Sequence, residues 1–216
     1  SARLEQKSGT PLYISACPAW VKYAEQFVPS LIPHLSTVKS PQQITGVLVK
    51  TLVANQAGVE PGQIYSVSAT PCMAMKFEAR RNGMMRKGIS DVDSVLTVRE
   101  LARLIRLYGI DITNVESEPA DEPLSGRSSS AVLAEVSGGM AEGVLRLFYY
   151  SRLKKEADKH SFKKMRSTGS FREASVEVGD LEVKVAIVDG LTGLEKLKNA
   201  VASGKKYDLV EVMTCP

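Results

Sequence analysis

Cys17, Cys72 and Cys215 each follow a short apolar run, and each has a proline beside it: Pro18, Pro71 and Pro216. The runs 12–15, 64–69 and 207–213 read as buried strands. In an open parallel sheet, ligands bind in the crevice beyond the carboxyl ends of the strands. Thiols delivered to such ends can converge on one site, even though these lie 55 and 143 residues apart in the chain. Soft thiolates select iron–sulfur clusters, zinc or copper(I). A free cysteine is also a small buried hydrophobe, and the sequence has no Cys-x-x-Cys pair. From placement alone, a shared thiolate site and three inert cysteines both stand. With only His34 and His160 present, little is left for imidazole ligation or His-centred catalysis.

The elements that must position these residues follow from local signals. Pro18 suits the first turn of a helix whose apolar face is Trp20, Val21, Ala24 and Phe27, and Pro29 and Pro33 end it. Ser40 is a natural N-cap, with Pro41 at the first helical position and Gln43 placed to complete a capping box. Ile44, Val47, Leu48 and Leu52 follow at helical spacing, and Gly58 stops the helix. A helix is expected after Cys72, a turn at Asn82-Gly83, a strand over 92–96 and a helix capped by Thr97. Ser137-Gly138-Gly139 opens a helix over 140–154. Segments 174–178 and 181–188 flank Gly179-Asp180 as a hairpin with a two-residue turn. A helix over 190–201 precedes the last strand. Strands alternating with helices make the class α/β, with mostly parallel sheets flanked by helices and one antiparallel hairpin near 174–188. Segment 116–130 has almost no apolar residue and reads as a linker between two lobes, 1–115 and 131–216.

Composition excludes several classes. The chain has 216 residues, 44% hydrophobic and 24% charged, ordinary values for a globular protein rather than a disordered one. No run reaches the roughly 18 apolar residues of a membrane helix. The first seven residues carry no apolar core of a secretory signal. An odd count of three cysteines argues against a disulfide scaffold and for a reducing, cytoplasmic setting. Net charge is +4, unevenly spread: segment 152–172 holds eight Lys and Arg against Glu156 and Asp158. That excursion reads as solvated surface, because no aromatic interleaving or nucleic-acid fold signature accompanies it.

Four motifs in order carry a resemblance. They are Ser15-Ala16-Cys17-Pro18-Ala19-Trp20-Val21, Lys39-Ser40-Pro41-Gln42-Gln43, Pro71-Cys72-Met73-Ala74-Met75-Lys76-Phe77-Glu78-Ala79-Arg80, and Glu211-Val212-Met213-Thr214-Cys215-Pro216. The chain resembles the catalytic, H-cluster domain of [FeFe] hydrogenases over nearly its whole length, and the iron-only hydrogenase large-subunit fold is the expectation. The resemblance implies a [4Fe-4S] cubane with Cys17, Cys72 and Cys215 among its ligands. It also implies a bridged two-iron subcluster carrying CO, cyanide and a dithiolate. The family's bridging cysteine follows in a Cys-Pro-Gly-Gly-Cys run, whereas this sequence stops at Pro216, so the reading is of a partial domain lacking its N-terminal half. Ser36 matches a proton-path serine; Ser40, Pro41, Gln42, Pro71 and Met213 match positions lining the two-iron pocket. Without the motif, Ser40 would read as a helix cap, Met213 as core and Ser36 as a loop hydroxyl.

The departures from the pattern are as informative. Where hydrogen-producing members have a proton-transferring cysteine, this chain has Ala16. Where they have a lysine that binds cyanide, it has Met75. The usual Phe-Gly ahead of the glycine pair appears as Ala134-Glu135. Loss of general acid help typically lowers rates about 10²–10⁴-fold, and a thioether is at best a weak acceptor. This combination resembles the sensory-type members of the family. The expected partners are then H2 and protons, a redox partner or signalling output, and the rest of the domain, with no membrane or nucleic acid. A divergent turnover enzyme and a non-catalytic iron–sulfur protein remain the alternatives.

Overall fold

The computed structural model describes residues 2–6, 9–121, 123–124, 132–134 and 136–215. Its backbone is α/β, and the chain folds into two units: Ser1–Val38 with Arg127–Pro216, and Lys39–Gly126. The first unit begins with α1 (Ala2–Glu5), β1 (Leu12–Ile14) and α2 (Pro18–Phe27). The second contributes α3 (Pro41–Leu48), α4 (Ala54–Ala57), β2 (Val67–Thr70), α5 (Ala74–Ala79), β3 (Met85–Arg86), β4 (Ile89–Ser90), β5 (Ser94–Thr97) and α6 (Val98–Leu107). The chain then returns to the first unit with α7 (Gly139–Leu153), β6 (Phe171–Val178), β7 (Leu181–Asp189), α8 (Gly190–Ala202) and β8 (Leu209–Met213). Among the described residues, no helix is long and apolar enough to cross a membrane.

The first unit is built on a four-stranded sheet in the order β1-β8-β7-β6. β8 runs parallel to both neighbours, pairing Leu12 with Leu209 on one side and Val185 with Leu209 on the other. β6 is antiparallel to β7. The intervening Gly179 has φ +66°, the left-handed conformation a two-residue hairpin turn requires. Val185, Ala186, Ile187 and Val188 are all fully buried, as a strand covered on both faces demands. Val185 and Ile187 pack with Leu145 and Phe148 of α7, and Ala186 and Val188 with Trp20 of α2 and Leu197 of α8. Each such large side chain contributes on the order of 1.5–3 kcal/mol by burial.

The basic stretch 152–172 is more structural than its charge suggests. A 3-10 turn over Lys159–Arg166 buries Phe162 and Met165 completely. Arg166 Nε donates to Glu142 Oε2 at 2.7 Å, and Arg146 Nε donates to Glu142 Oε1 at 2.8 Å. Arg172 is itself buried and pairs with Asp189 at 2.8 Å. The expectation of a wholly solvated excursion therefore fails, because two aromatic or thioether anchors and buried carboxylates recruit its arginines. Lys154, Lys155, Lys163 and Lys164 remain exposed.

In the second unit β2 and β5 pair in parallel, from Val67 with Ser94 to Thr70 with Thr97. Both strands start two or three residues later than the apolar runs suggest. Ser40 caps α3, its hydroxyl accepting from Gln43 N at 3.3 Å. The other half of the expected capping box does not form: the fully buried Gln43 amide makes no hydrogen bond. A π turn over Val49–Val53 carries α3 into α4, and Gly58 ends the helix with φ +66°. Thr97 and Glu100 form a complete capping box on α6. The hairpin β3–β4, turning on Lys87 and Gly88 at positive φ, had no signal beyond the Asn82-Gly83 turn. Residues 116–121 are irregular, and most of the remaining linker, like Glu135, lies outside the described residues.

Candidate metal centre

In the first unit the carboxyl ends of β1 and β8 lie side by side. Ser15, just past β1, donates its hydroxyl to Val212 O at 2.5 Å and accepts from Cys17 N at 2.9 Å. This ties the turn into α2 to the last strand. Cys17 is the N-cap residue of α2 in extended conformation (φ −95°), with Pro18 at the first helical position. Its thiol is buried and lies 2.9 Å from Thr214 Oγ1. The first turn of a helix presents unpaired N–H groups and a partial positive charge, a setting suited to thiolate or anionic cluster ligands. Cys215 follows Thr214 and is exposed; Met213 and Ala16 are half-buried. Ser36 N donates to Tyr13 O at 2.7 Å, and its hydroxyl accepts from Val38 N at 3.3 Å, a local turn.

In the second unit a polar network surrounds the start of α5. Thr70 Oγ1, at the end of β2, accepts from Cys72 N at 3.2 Å and donates to Met75 Sδ at 3.1 Å. Cys72 and Met75 are half-buried and Pro71 is exposed. Gln42 Nε2 donates to Met75 O at 3.4 Å, while Gln42 Oε1 accepts from Ser68 at 2.8 Å. Ser40, buried, donates to Glu78 Oε2 at 2.7 Å. Burial pushes the Glu78 carboxyl up, against hydrogen bonding from Ser40 and the charge of Arg81.

Cys17 and Cys215 thus belong to one unit and Cys72 to the other, each just past a parallel strand. Among the described residues, no group of three or more His, Cys, Asp or Glu is gathered to hold a metal ion. The donor chemistry nevertheless fits an iron–sulfur group: none of the three cysteines is tied up in a disulfide, and Cys17 stands at the N-cap position of a helix. Ser36 holds a turn and Ser40 a helix cap, as their local sequence alone suggests. Ser40 and Gln42 also reach Glu78, which stood in a quoted motif without a role. Glu211 was missed similarly. It is fully buried and accepts from Gly138 N at 2.8 Å and Ala141 N at 2.7 Å, fixing the start of α7 to β8. An acid flanked by valines within the apolar stretch 209–213 was the available signal.

Residues 1–216 match the family described as "Iron only hydrogenase large subunit, C-terminal domain". The chain belongs to this family. It is 39% identical over 99% of its length to the periplasmic [Fe] hydrogenase large subunit of Nitratidesulfovibrio vulgaris, covering 52% of that protein. It is 35% identical over 97% of its length to cytosolic iron-sulfur assembly component 3 of Pongo abelii, covering 46% of it. The apo form of a variant of [FeFe]-hydrogenase HydA1 from Chlamydomonas reinhardtii superposes with a TM-score of 0.78 at 25% identity. That match covers 99% of this chain and 61% of the other. The chain spans about half or less of the curated relatives it matches, 35–52% for the first three. The iron-only hydrogenase fold therefore accounts for the parallel strand ends at which all three cysteines sit.

Proposed function

We propose that this chain is part of an H-cluster domain that binds H2 and cleaves it slowly and reversibly, to two protons and two electrons, as a hydrogen sensor in signalling. The observation that carries this reading is Ala16. It occupies the turn between β1 and Cys17, and its methyl group has no exchangeable proton. The neighbouring hydroxyl of Ser15 cannot substitute, because it is committed to Val212 O and Cys17 N. Without a positioned acid, the rate falls by about 10²–10⁴-fold.

Cys17, Cys72 and Cys215 would serve as ligands of a [4Fe-4S] cubane, and Ser40, Pro41, Gln42, Pro71, Met75 and Met213 would flank a two-iron subcluster. When bound, such a group supplies the site at which the H–H bond breaks and electrons are stored. The protein's own contribution is to orient and to insulate. Ser15 holds the Cys17 turn against β8. Thr70 orders both the Cys72 backbone and the Met75 side chain. At residue 75 a thioether restrained by the Thr70 hydroxyl replaces a cation, removing a charge-assisted hydrogen bond from the pocket edge. Ser36 is the hydroxyl proposed for proton passage. H2, protons, the remainder of the domain and a redox or signalling module are the proposed partners. Three cysteines with no disulfide among the described residues support a reducing, cytoplasmic setting.

A second reading, a non-catalytic iron–sulfur protein, is favoured by the 35% identity to an iron-sulfur assembly component. Infrared spectroscopy of the anaerobically matured full-length protein separates the two. CO and cyanide bands that shift under H2 support the sensor. A cubane signal without such bands supports the assembly-type reading.

A further inference from the structure

Glu78 is a carboxylic acid that the proposed function does not use. It is 6% exposed, and Arg81, just beyond its own helix, is the cation whose charge reaches it. Its hydrogen-bond partners are neutral: Ser40 Oγ at 2.7 Å and Gln42 Nε2 at 3.5 Å, both directed to Oε2. The elements packed around it add little charge. α3 offers Ser40, Gln42 and Gln43, all neutral. β5, against which α5 packs, offers Ser94, Val95, Leu96 and Thr97. On its own helix Lys76 is held by Glu100 at 2.5 Å, and Arg81 just beyond is the cation whose charge opposes protonation. Met75, one turn earlier on the same helix face, brings a thioether turned to Thr70 rather than a charge.

We propose that Glu78 is a proton-binding site whose proton is exchanged through the Ser40 hydroxyl, placing a titratable group at the Ser40–Gln42 edge in a chain that has only a methyl at residue 16. This rests on the reading of Ser40 and Gln42 as pocket residues. As a carboxylate, Glu78 accepts from the Ser40 O–H. When solvent hydronium gives a proton to Ser40 Oγ, the hydroxyl passes its own hydrogen to Glu78; the new Glu78 O–H then donates to Ser40 Oγ, and the hydrogen that Ser40 keeps turns to another acceptor. A buried carboxyl with neutral partners favours the protonated form, and burial pushes this one up. Ser40 Oγ, already accepting from Gln43 N, has a second lone pair for that bond. The two protonation states thus differ in where the Ser40 hydrogen points, which is a mechanical change at the pocket edge and not only an electrostatic one.

The test is an infrared pH titration of the full-length protein without cluster, following the C=O stretch of protonated carboxyl groups. A band titrating above exposed glutamates is expected, and its loss in Glu78→Gln assigns it. Glu211→Gln is the control, since burial also pushes that carboxyl up. Ser40→Ala, which removes a donor to the carboxylate, is expected to raise the midpoint. Met75→Lys, which adds a cation one turn away, is expected to lower it. No such band, or a band that survives Glu78→Gln and disappears in Glu211→Gln, overturns the proposal. Because no cluster is needed, this result is independent of the CO and cyanide spectrum: a titrating Glu78 without those bands leaves the proton site standing and removes the hydrogen-sensing reading.

Discussion

Cys17 Sγ lies 2.9 Å from Thr214 Oγ1, so the thiol that follows β1 and the hydroxyl that follows β8 meet although 197 residues separate them. The contact depends on register: Ile14 pairs with Glu211, and both strands run out toward the same edge. Cys215, next in sequence, is exposed where Cys17 is buried. Thiol reagents should therefore alkylate Cys215 well before Cys17 in the cluster-free folded protein, with Cys17 reacting at a comparable rate only after denaturation. Mass spectrometry of timed samples reads this directly, and equal rates under native conditions would contradict the burial of Cys17.

Ala16→Cys should restore a proton donor at the turn into α2. In matured full-length protein, hydrogen evolution is expected to rise by about 10²-fold or more, within the range general acid help provides. No gain would mean that protons reach the site elsewhere, as a divergent turnover enzyme requires.

Gly139→Ala should be severely destabilising. A Cβ there would fall 1.5 Å from Leu133 O, a backbone atom that cannot swing aside. The neighbouring Gly138 has φ +88° and would place a Cβ 2.4 Å from Met165 O. A loss of about 3 kcal/mol is expected from such overpacking, measurable by urea denaturation. Tolerance would mean that the start of α7 relaxes more than this close approach allows.

Glu142 sets an acid limit on stability. Burial pushes its carboxyl up, but hydrogen bonds and charge from Arg166 and Arg146 outweigh this and hold it below the ordinary value of 4.5. Its folded value is depressed, so its contribution is full above pH 4.5 and is lost as pH falls through that lower value. Glu142→Gln should cost about 1.5–3 kcal/mol near neutral pH, and the gap to wild type should narrow in acid. Glu78 and Glu211, pushed up by burial, act in the opposite sense: their contribution is present below pH 4.5 and fades as pH rises above it. Denaturation at a series of pH values would show the Glu142→Gln curve flatter on the acid side.

Much of the scaffold was legible from local chemistry. Pro18 opens α2, Thr97 caps α6 and Gly179-Asp180 turns the β6–β7 hairpin because each of these residues acts on its immediate neighbours. The strand-end position of the cysteines was readable for the same reason. What escaped depends on partners far along the chain. Nothing near residue 38 signals that the first strand packs with residues beyond 126. Glu142 with Arg166, Arg172 with Asp189 and Glu211 with Gly138 become pairs, each with at least one buried member, only once the sheet brings them together. Before that, Glu142, Arg166 and Arg172 look like ordinary surface charges.

The discontinuity of the first unit has a kinetic consequence. β2 and β5 of Lys39–Gly126 find each other within 31 residues of chain, from Val67 to Thr97. β1 has no strand partner until β8 is synthesised, because its ladder is to Leu209, Val210 and Glu211. Pairings of such sequence separation form late, since their loop-closure entropy must be overcome before contacts reward it. Cys17 therefore sits beside an unpaired strand until β8 emerges, while the segment around Cys72 can already be folded. The burial of Cys17 against β8 is therefore ordered after the folding of Lys39–Gly126, by topology alone.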